Sequence, residues 1–257
     1  MTDGTSADAG VRAPKPRGLR WWREFAYIIA FYAVYSFIRS AGSKNSAAAE
    51  ATAQTNALDI IRWERLVGIY HEESIQDLFL GWEWFIRFWN IYYGSFHFVV
   101  TAGALVWLYR TRPDRYPLWR NTLAFTTGLA LIGYAGYPLM PPRLLPSSFG
   151  YVDTLATIGG LWSFDSGPVA SVSNQFAAMP SLHFGWAAWS AFVLWPAARS
   201  IALKALVVAY PLATLFAIVV TGNHFFLDAA GGAVVLAAGF GAGRALTKLL
   251  ENRQKVA

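Results

Sequence analysis

The sequence contains no cysteine, and only 14% of its 257 residues are charged. The first absence excludes disulfides, thiolate metal sites and thiol nucleophiles. The second excludes an ordinary water-soluble domain, which carries about 25% charged residues to face solvent. What fills the chain instead is 55% apolar side chains, with twelve Trp and twelve Tyr among them. Amphipathic rings collect at membrane–water interfaces. The composition therefore predicts a single all-α domain, a polytopic membrane helix bundle whose outer surface faces lipid.

Residues 1–20 read as a solvated cytoplasmic tail, 21–250 as one membrane domain and 251–257 as a second short cytoplasmic tail. No small-residue cleavage site follows the first apolar run, so that run reads as an uncleaved span. Six stretches are predicted to span: Trp22–Ile38, Phe88–Tyr109, Asn121–Met140, His183–Ala198, Ala205–Gly222 and Phe225–Gly243. The second and third are long enough to cross a hydrocarbon core about 30 Å thick. The others must borrow interfacial residues at their ends. With the N-terminus placed in the cytoplasm, the 21 Lys and Arg residues divide 15 inside to 6 outside. That is the sense of the positive-inside rule, and it puts both termini in the cytoplasm. The net charge of +6 is thus a topology signal, and nucleic acid is not needed as a partner.

The outer segment 40–83 divides in two. Ser43–Thr55 is small and polar and reads as a loop. Beyond it Leu58, Ile61, Arg62, Arg65, Leu66, Ile69 and Tyr70 alternate apolar and charged groups at near-helical spacing. They predict an amphipathic helix lying on the outer membrane surface, or a cap helix packed over the bundle. The two readings are compatible.

This map brings three polar clusters to one face, the outer active-site loop 141–182 contributing to two of them. Pro141-Pro142-Arg143 follows the third span, Met179-Pro180-Ser181-Leu182-His183 leads into the fourth, and Gly222-Asn223-His224-Phe225-Phe226-Leu227-Asp228 turns from the fifth into the sixth. His224 and Asp228 stand four residues apart at a helix start and share a face. A carboxylate there can fix the imidazole tautomer and leave the other nitrogen as a nucleophile. The same pair could simply anchor a helix end, but an Asp just inside an apolar span is expensive to bury. Ser181 and His183 begin the fourth span, where backbone N–H groups and the helix dipole favour an anion. His183 there can donate a proton to a leaving alkoxide; the bland alternative is a Pro-Ser cap with an incidental His. Arg143 can grip two phosphate oxygens at once or snorkel to a lipid headgroup. Asn223, beside His224, joins Arg143 and Ser181 as a phosphate-binding candidate.

Weaker candidates surround these. His97 lies mid-span among aromatic rings and reads as a core histidine before a proton relay. Asn90 and Tyr92 either line a pocket or bond the backbone. Asp153 and Asp165, in the outer Tyr151–Ala178 loop, read as solvated acids. No acid–histidine cluster has metal-ligand spacing, so neither a metal nor another cofactor is expected.

Together these segments resemble the type-2 phosphatidic acid phosphatase superfamily. Its signatures are Lys-x6-Arg-Pro, Pro-Ser-Gly-His and Ser-Arg-x5-His-x3-Asp. Pro180-Ser181-Leu182-His183 matches the second with Leu182 in place of Gly, and His224-Phe225-Phe226-Leu227-Asp228 matches the end of the third. The resemblance, covering roughly residues 88–243, implies that His224 becomes phosphorylated, Asp228 supports it and His183 protonates the leaving group. The departures are specific. Arg112-Pro113 has Leu105 where Lys belongs and falls on the cytoplasmic side, so it is not the first signature. Ile218 stands where the third signature carries Arg, and Arg143 is expected to cover part of the missing charge. The Pro-Pro segment and Glu64-Arg65-Leu66-Val67-Gly68-Ile69 look like the inositol phosphorylceramide synthase branch. The implied activity is metal-independent phosphatase or phosphotransferase chemistry on a lipid phosphate or phospholipid at the outer face. A headgroup transferase of the synthase type is the alternative, and an inactive lipid-binding or transport protein the further one.

Overall fold

The computed structural model describes residues 47–160 and 175–256, with 20–22, 24–27, 29 and 33 of the N-terminal segment. The helices are α1 (Ala47–Val67), α2 (Glu72–Leu80), α3 (Glu83–Thr111), α4 (Tyr116–Gly136), the single turn α5 (Thr154–Thr157), α6 (Leu182–Leu194), α7 (Ile201–Val220) and α8 (Phe226–Val256). Among the described residues there is no strand, only an isolated bridge between Leu139 and Ala177. The all-α expectation therefore holds for them.

Among the described residues three helices, α3, α7 and residues 226–253 of α8, are long and apolar enough to cross a membrane. The six-span expectation is not met at this level. Trp22–Ile38 lies mostly outside the described residues. The fourth predicted span becomes the 13-residue α6, about 20 Å long at 1.5 Å per residue. Its predicted tail turns into a short 3₁₀ segment at Trp195–Ala197. The third becomes α4, which stops at Gly136; Tyr137–Met140 leaves the helix and runs under α1. α8 extends the sixth span by several turns, through most of the predicted C-terminal tail.

α4 and α8 form the closest helix pair, and small residues explain it. A Cβ at Gly239 would collide with Thr126 Oγ1, and one at Gly243 would sit 2.7 Å from the Thr122 backbone nitrogen. Glycines spaced four apart let two backbones approach. The threonines opposite turn their hydroxyls onto carbonyls of their own helix, Thr122 to Leu118 and Thr126 to Thr122. At the same helix's start, Arg120 donates to both carboxylate oxygens of Glu24 at 2.7 and 2.6 Å.

The loop expected at Ser43–Thr55 is corrected from Ala47 onward, where the chain is already helical. The alanines that look loop-like are the best helix formers, and their small size serves burial. Ala53 and Ala57 are fully buried against Leu139, Met140 and Phe225, and the Met140 amide donates to the Ala53 carbonyl at 3.1 Å. Asn56 Nδ2 donates to Pro138 O at 2.7 Å. α1 is thus a cap helix over the bundle. It still exposes Leu58, Trp63, Leu66 and Val67, so the surface-lying reading is compatible with it.

Candidate active site

Two turns position the histidines. The first is the entry to α6. Pro180 seats against Gly133 of α4 and Gly231 of α8, where a Cβ would fall 2.6 and 3.2 Å from the proline ring. Tyr134 Oη donates to the Pro180 carbonyl at 3.0 Å. Ser181, fully buried, is the N-cap of α6, its Oγ lying 3.5 Å from the Phe184 amide. The second turn joins α7 to α8 through Gly222. Its φ is +67°, and a Cβ there would meet Gln76 Nε2 at 2.8 Å and Arg143 Cβ at 3.3 Å. Glycine is required on both counts.

His224 follows that turn, 3% exposed. Its Nδ1 lies 3.1 Å from Asp228 Oδ2, the same oxygen that accepts the Phe225 amide at 2.9 Å. Asp228 is fully buried. With Nδ1–H donating to the carboxylate, Nε2 keeps its lone pair. The two turns are tied together, since the Ser181 amide donates to the Asp228 carbonyl at 2.9 Å. His183 consequently faces His224, with ring centroids 5.5 Å apart and planes at 59°.

Arg143 is 7% exposed and fixed at three points. Its amide donates to Gly222 O at 2.8 Å, its Nε to Asn223 Oδ1 at 3.1 Å and its Nη1 to Asp153 Oδ2 at 2.6 Å. Asn223 in turn donates from Nδ2 to Thr221 Oγ1 at 2.7 Å. Five of the six predicted site residues therefore cluster through direct bonds, and His183 joins them by ring proximity.

Asp153 corrects the expectation of a solvated loop acid. Besides pairing with Arg143 it caps α5, accepting from the Leu155 and Ala156 amides. Asp165 lies outside the described residues. Asn90 bonds the backbone: its Nδ2 donates to Thr154 O and Gly159 O, and its Oδ1 accepts from Thr154. Tyr92 points away, its hydroxyl 3.2 Å from Thr214 Oγ1 on α7. His97 lies against the site, its ring 4.3 Å from that of His183.

Three residues at the site were given no role in it by the sequence reading. Tyr93 stacks on His183 at 4.1 Å and 22°. Its spacing of four from His97 was the available signal, because it sets both on one face of α3. Glu64 and Glu72 are fully buried, and they accept the Leu227 and Phe226 amides at 2.7 and 3.0 Å. No group of three or more His, Cys, Asp or Glu side chains among the described residues is placed to hold a metal ion. An open groove of about 380 Å³ lined by Leu58, Ile61, Arg62, Arg65, Leu66 and Phe149 lies on the outer side of α1; neither histidine of the pair lines it.

Apolar helices of membrane length that gather a His–Asp pair, a second histidine and a buried Arg at one end define a membrane protein with a histidine-based site. The family model of the PAP2 superfamily matches residues 58–242, and the chain belongs to that superfamily. The match covers α2 to α7, the second half of α1 and the first half of α8, so every predicted site residue falls inside it. No curated protein and no solved structure matches the chain. Membership points to phosphatase-type activity and, with the three apolar helices, to an integral membrane protein. It does not extend to the inositol phosphorylceramide synthase branch.

Proposed function

We propose that the protein cleaves a lipid-linked phosphate ester at the non-cytoplasmic face, through a phosphohistidine on His224. The observation that carries this reading is the buried His224–Asp228 bond with the His183 ring 5.5 Å away. In the first step His224 Nε2 attacks phosphorus, and the bond to the leaving alkoxide breaks. His183, as imidazolium, gives its proton to that oxygen. Asp228 balances the positive charge that develops on the His224 ring. In the second step His183, now neutral, takes a proton from water while the water oxygen attacks the phosphohistidine. Phosphate leaves, and His224 returns to its starting tautomer.

The anion sits where the first turn of α6 presents its N–H groups and where Arg143 borders Asn223. Arg143 makes no hydrogen bond from Nη2 to the described residues, so that group remains for a phosphate oxygen, while Nε and Nη1 fix the plane of the guanidinium. Orientation is supported by α8 itself. His224 and Asp228 stand at one end and Lys248 about 30 Å further along the axis. The basic end faces the cytoplasm by the positive-inside rule.

An alcohol in place of water converts the same intermediate into a transferase product. The likeness of Glu64–Ile69 to inositol phosphorylceramide synthases favours this as the second reading. The test uses purified protein in detergent with a panel of lipid phosphates and no added divalent metal. Phosphate release inhibited by vanadate supports the hydrolase. Movement of a headgroup between two lipids without phosphate release selects the transferase, and neither product from any lipid overturns both.

A further inference from the structure

Three successive amides at the start of α8 are each bound by a different carboxylate. Phe225 N donates to Asp228, Phe226 N to Glu72 at 3.0 Å and Leu227 N to Glu64 at 2.7 Å. The first amides of a helix need external acceptors, usually a local Ser, Thr, Asp or Asn. Here two of them come from α1 and the first turn of α2, roughly 150 residues away in sequence. Those amides lie between His224 and Asp228, so whatever holds them holds the His–Asp geometry.

The two glutamates are fully buried, and no Lys, Arg or His pairs with either among the described residues. The groups that act on them are Asp228 and the Tyr70–Tyr151 hydroxyl pair. Arg65, next to Glu64 on α1, lies over the Tyr70 ring. Oε2 of each glutamate has no hydrogen-bond partner among the described residues, and the two carboxyl groups are held on consecutive amides, close enough for each to feel the other's charge. Like charges side by side in a buried place favour leaving one group protonated, and a protonated carboxyl can donate to its neighbour.

We infer that Glu64 and Glu72 are positioning residues of the reaction: a carboxyl pair sharing one proton that clamps the first turn of α8 and holds His224 against Asp228. One proton lets both groups accept a backbone amide without two full charges meeting in a buried place. Burial and the neighbouring Glu72 push Glu64 up to about 9, so the proton is retained at neutral pH. Above that, a second buried anion forms beside Asp228 and the clamp opens.

This inference rests on His224 as nucleophile, and its test has one arm that does not. Full-length wild type, Glu64→Gln and Glu64→Ala in detergent are compared for kcat and KM between pH 6 and 10. Wild-type kcat should fall above about pH 9 with KM little changed. Glu64→Ala should lose about tenfold or more in kcat at neutral pH, from the stranded Leu227 amide. Glu64→Gln should rescue most of that loss, its carbonyl accepting the amide and its NH₂ donating to Glu72, and should lack the alkaline fall. The second arm is Tm against pH. A folded-state value of about 9, above the ordinary 4.5, gives stability that is full below the unfolded value and is lost as pH rises toward 9. Wild-type Tm should therefore decline across this window, and the Gln variant's decline should be smaller. An identical alkaline limb, or an identical decline in Tm, in wild type and Glu64→Gln overturns the clamp. Absence of turnover in wild type overturns the nucleophile reading, while the Tm arm still decides whether the proton is shared. If Glu64→Ala does not fold, the Gln profile decides alone.

Discussion

At the residue scale the site economises on charge. One oxygen of Asp228 accepts both the His224 ring and the Phe225 amide, while its other oxygen has no donor among the described residues. A buried anion satisfied on one side only is costly, and its field falls on the imidazole that must become cationic. Asp228→Asn keeps an acceptor for Phe225 and removes that field. It should cut kcat by roughly three to four powers of ten with KM little changed, read from steady-state phosphate release; a loss under about tenfold would mean that Asp228 only anchors the helix. The His–Asp pair was legible in the sequence because one helical turn fixes its geometry. Asp153 was not, since ten residues of irregular chain separate it from Arg143. Tyr93 was hidden among other aromatic residues of α3. Glu64 carried no site role in the sequence because its partner is a backbone amide far along the chain.

At the element scale, small side chains carry two opposite meanings. In 47–55 they suggest a loop, yet they let α1 settle on Met140 and Phe225. In α8 they let α4 approach. A methyl at Gly239 would press on the Thr126 backbone, whereas Gly241, two residues on, has nothing within 4 Å. Gly239→Ala should therefore cost about 1–3 kcal/mol through overpacking. Gly241→Ala should be neutral or gain up to about 1 kcal/mol in helix propensity. Thermal unfolding in detergent separates them, and equal Tm values would show that α4 and α8 do not pack as described. The number of spans is hard to read from the sequence for a related reason. Hydropathy sees apolar runs, but α6 is apolar because it is enclosed: Trp189, Ala187 and Ser190 are fully buried. A core helix and a membrane span have the same composition, and only length divides them.

For the whole molecule, the hydropathy and charge map was enough to predict that the three polar clusters meet, and the superfamily match spans all three. What that map left open was whether the outer helix lies on the membrane or caps the bundle, because the packing of α1 and α2 depends on contacts between distant segments. If the site faces outward, a reporter fused after Asn252 should be cytoplasmic and one inserted near Ser147 external; the reverse would invert the molecule without touching its chemistry. The central claim is the covalent step, and it can be read directly. Protein incubated with a phosphate-labelled lipid phosphate and quenched in alkali should carry label that is stable to base and released by acid, and peptide mapping should place it on His224. His224→Ala should carry none and turn over no substrate. Label on another residue, or undiminished turnover by His224→Ala, would contradict the account.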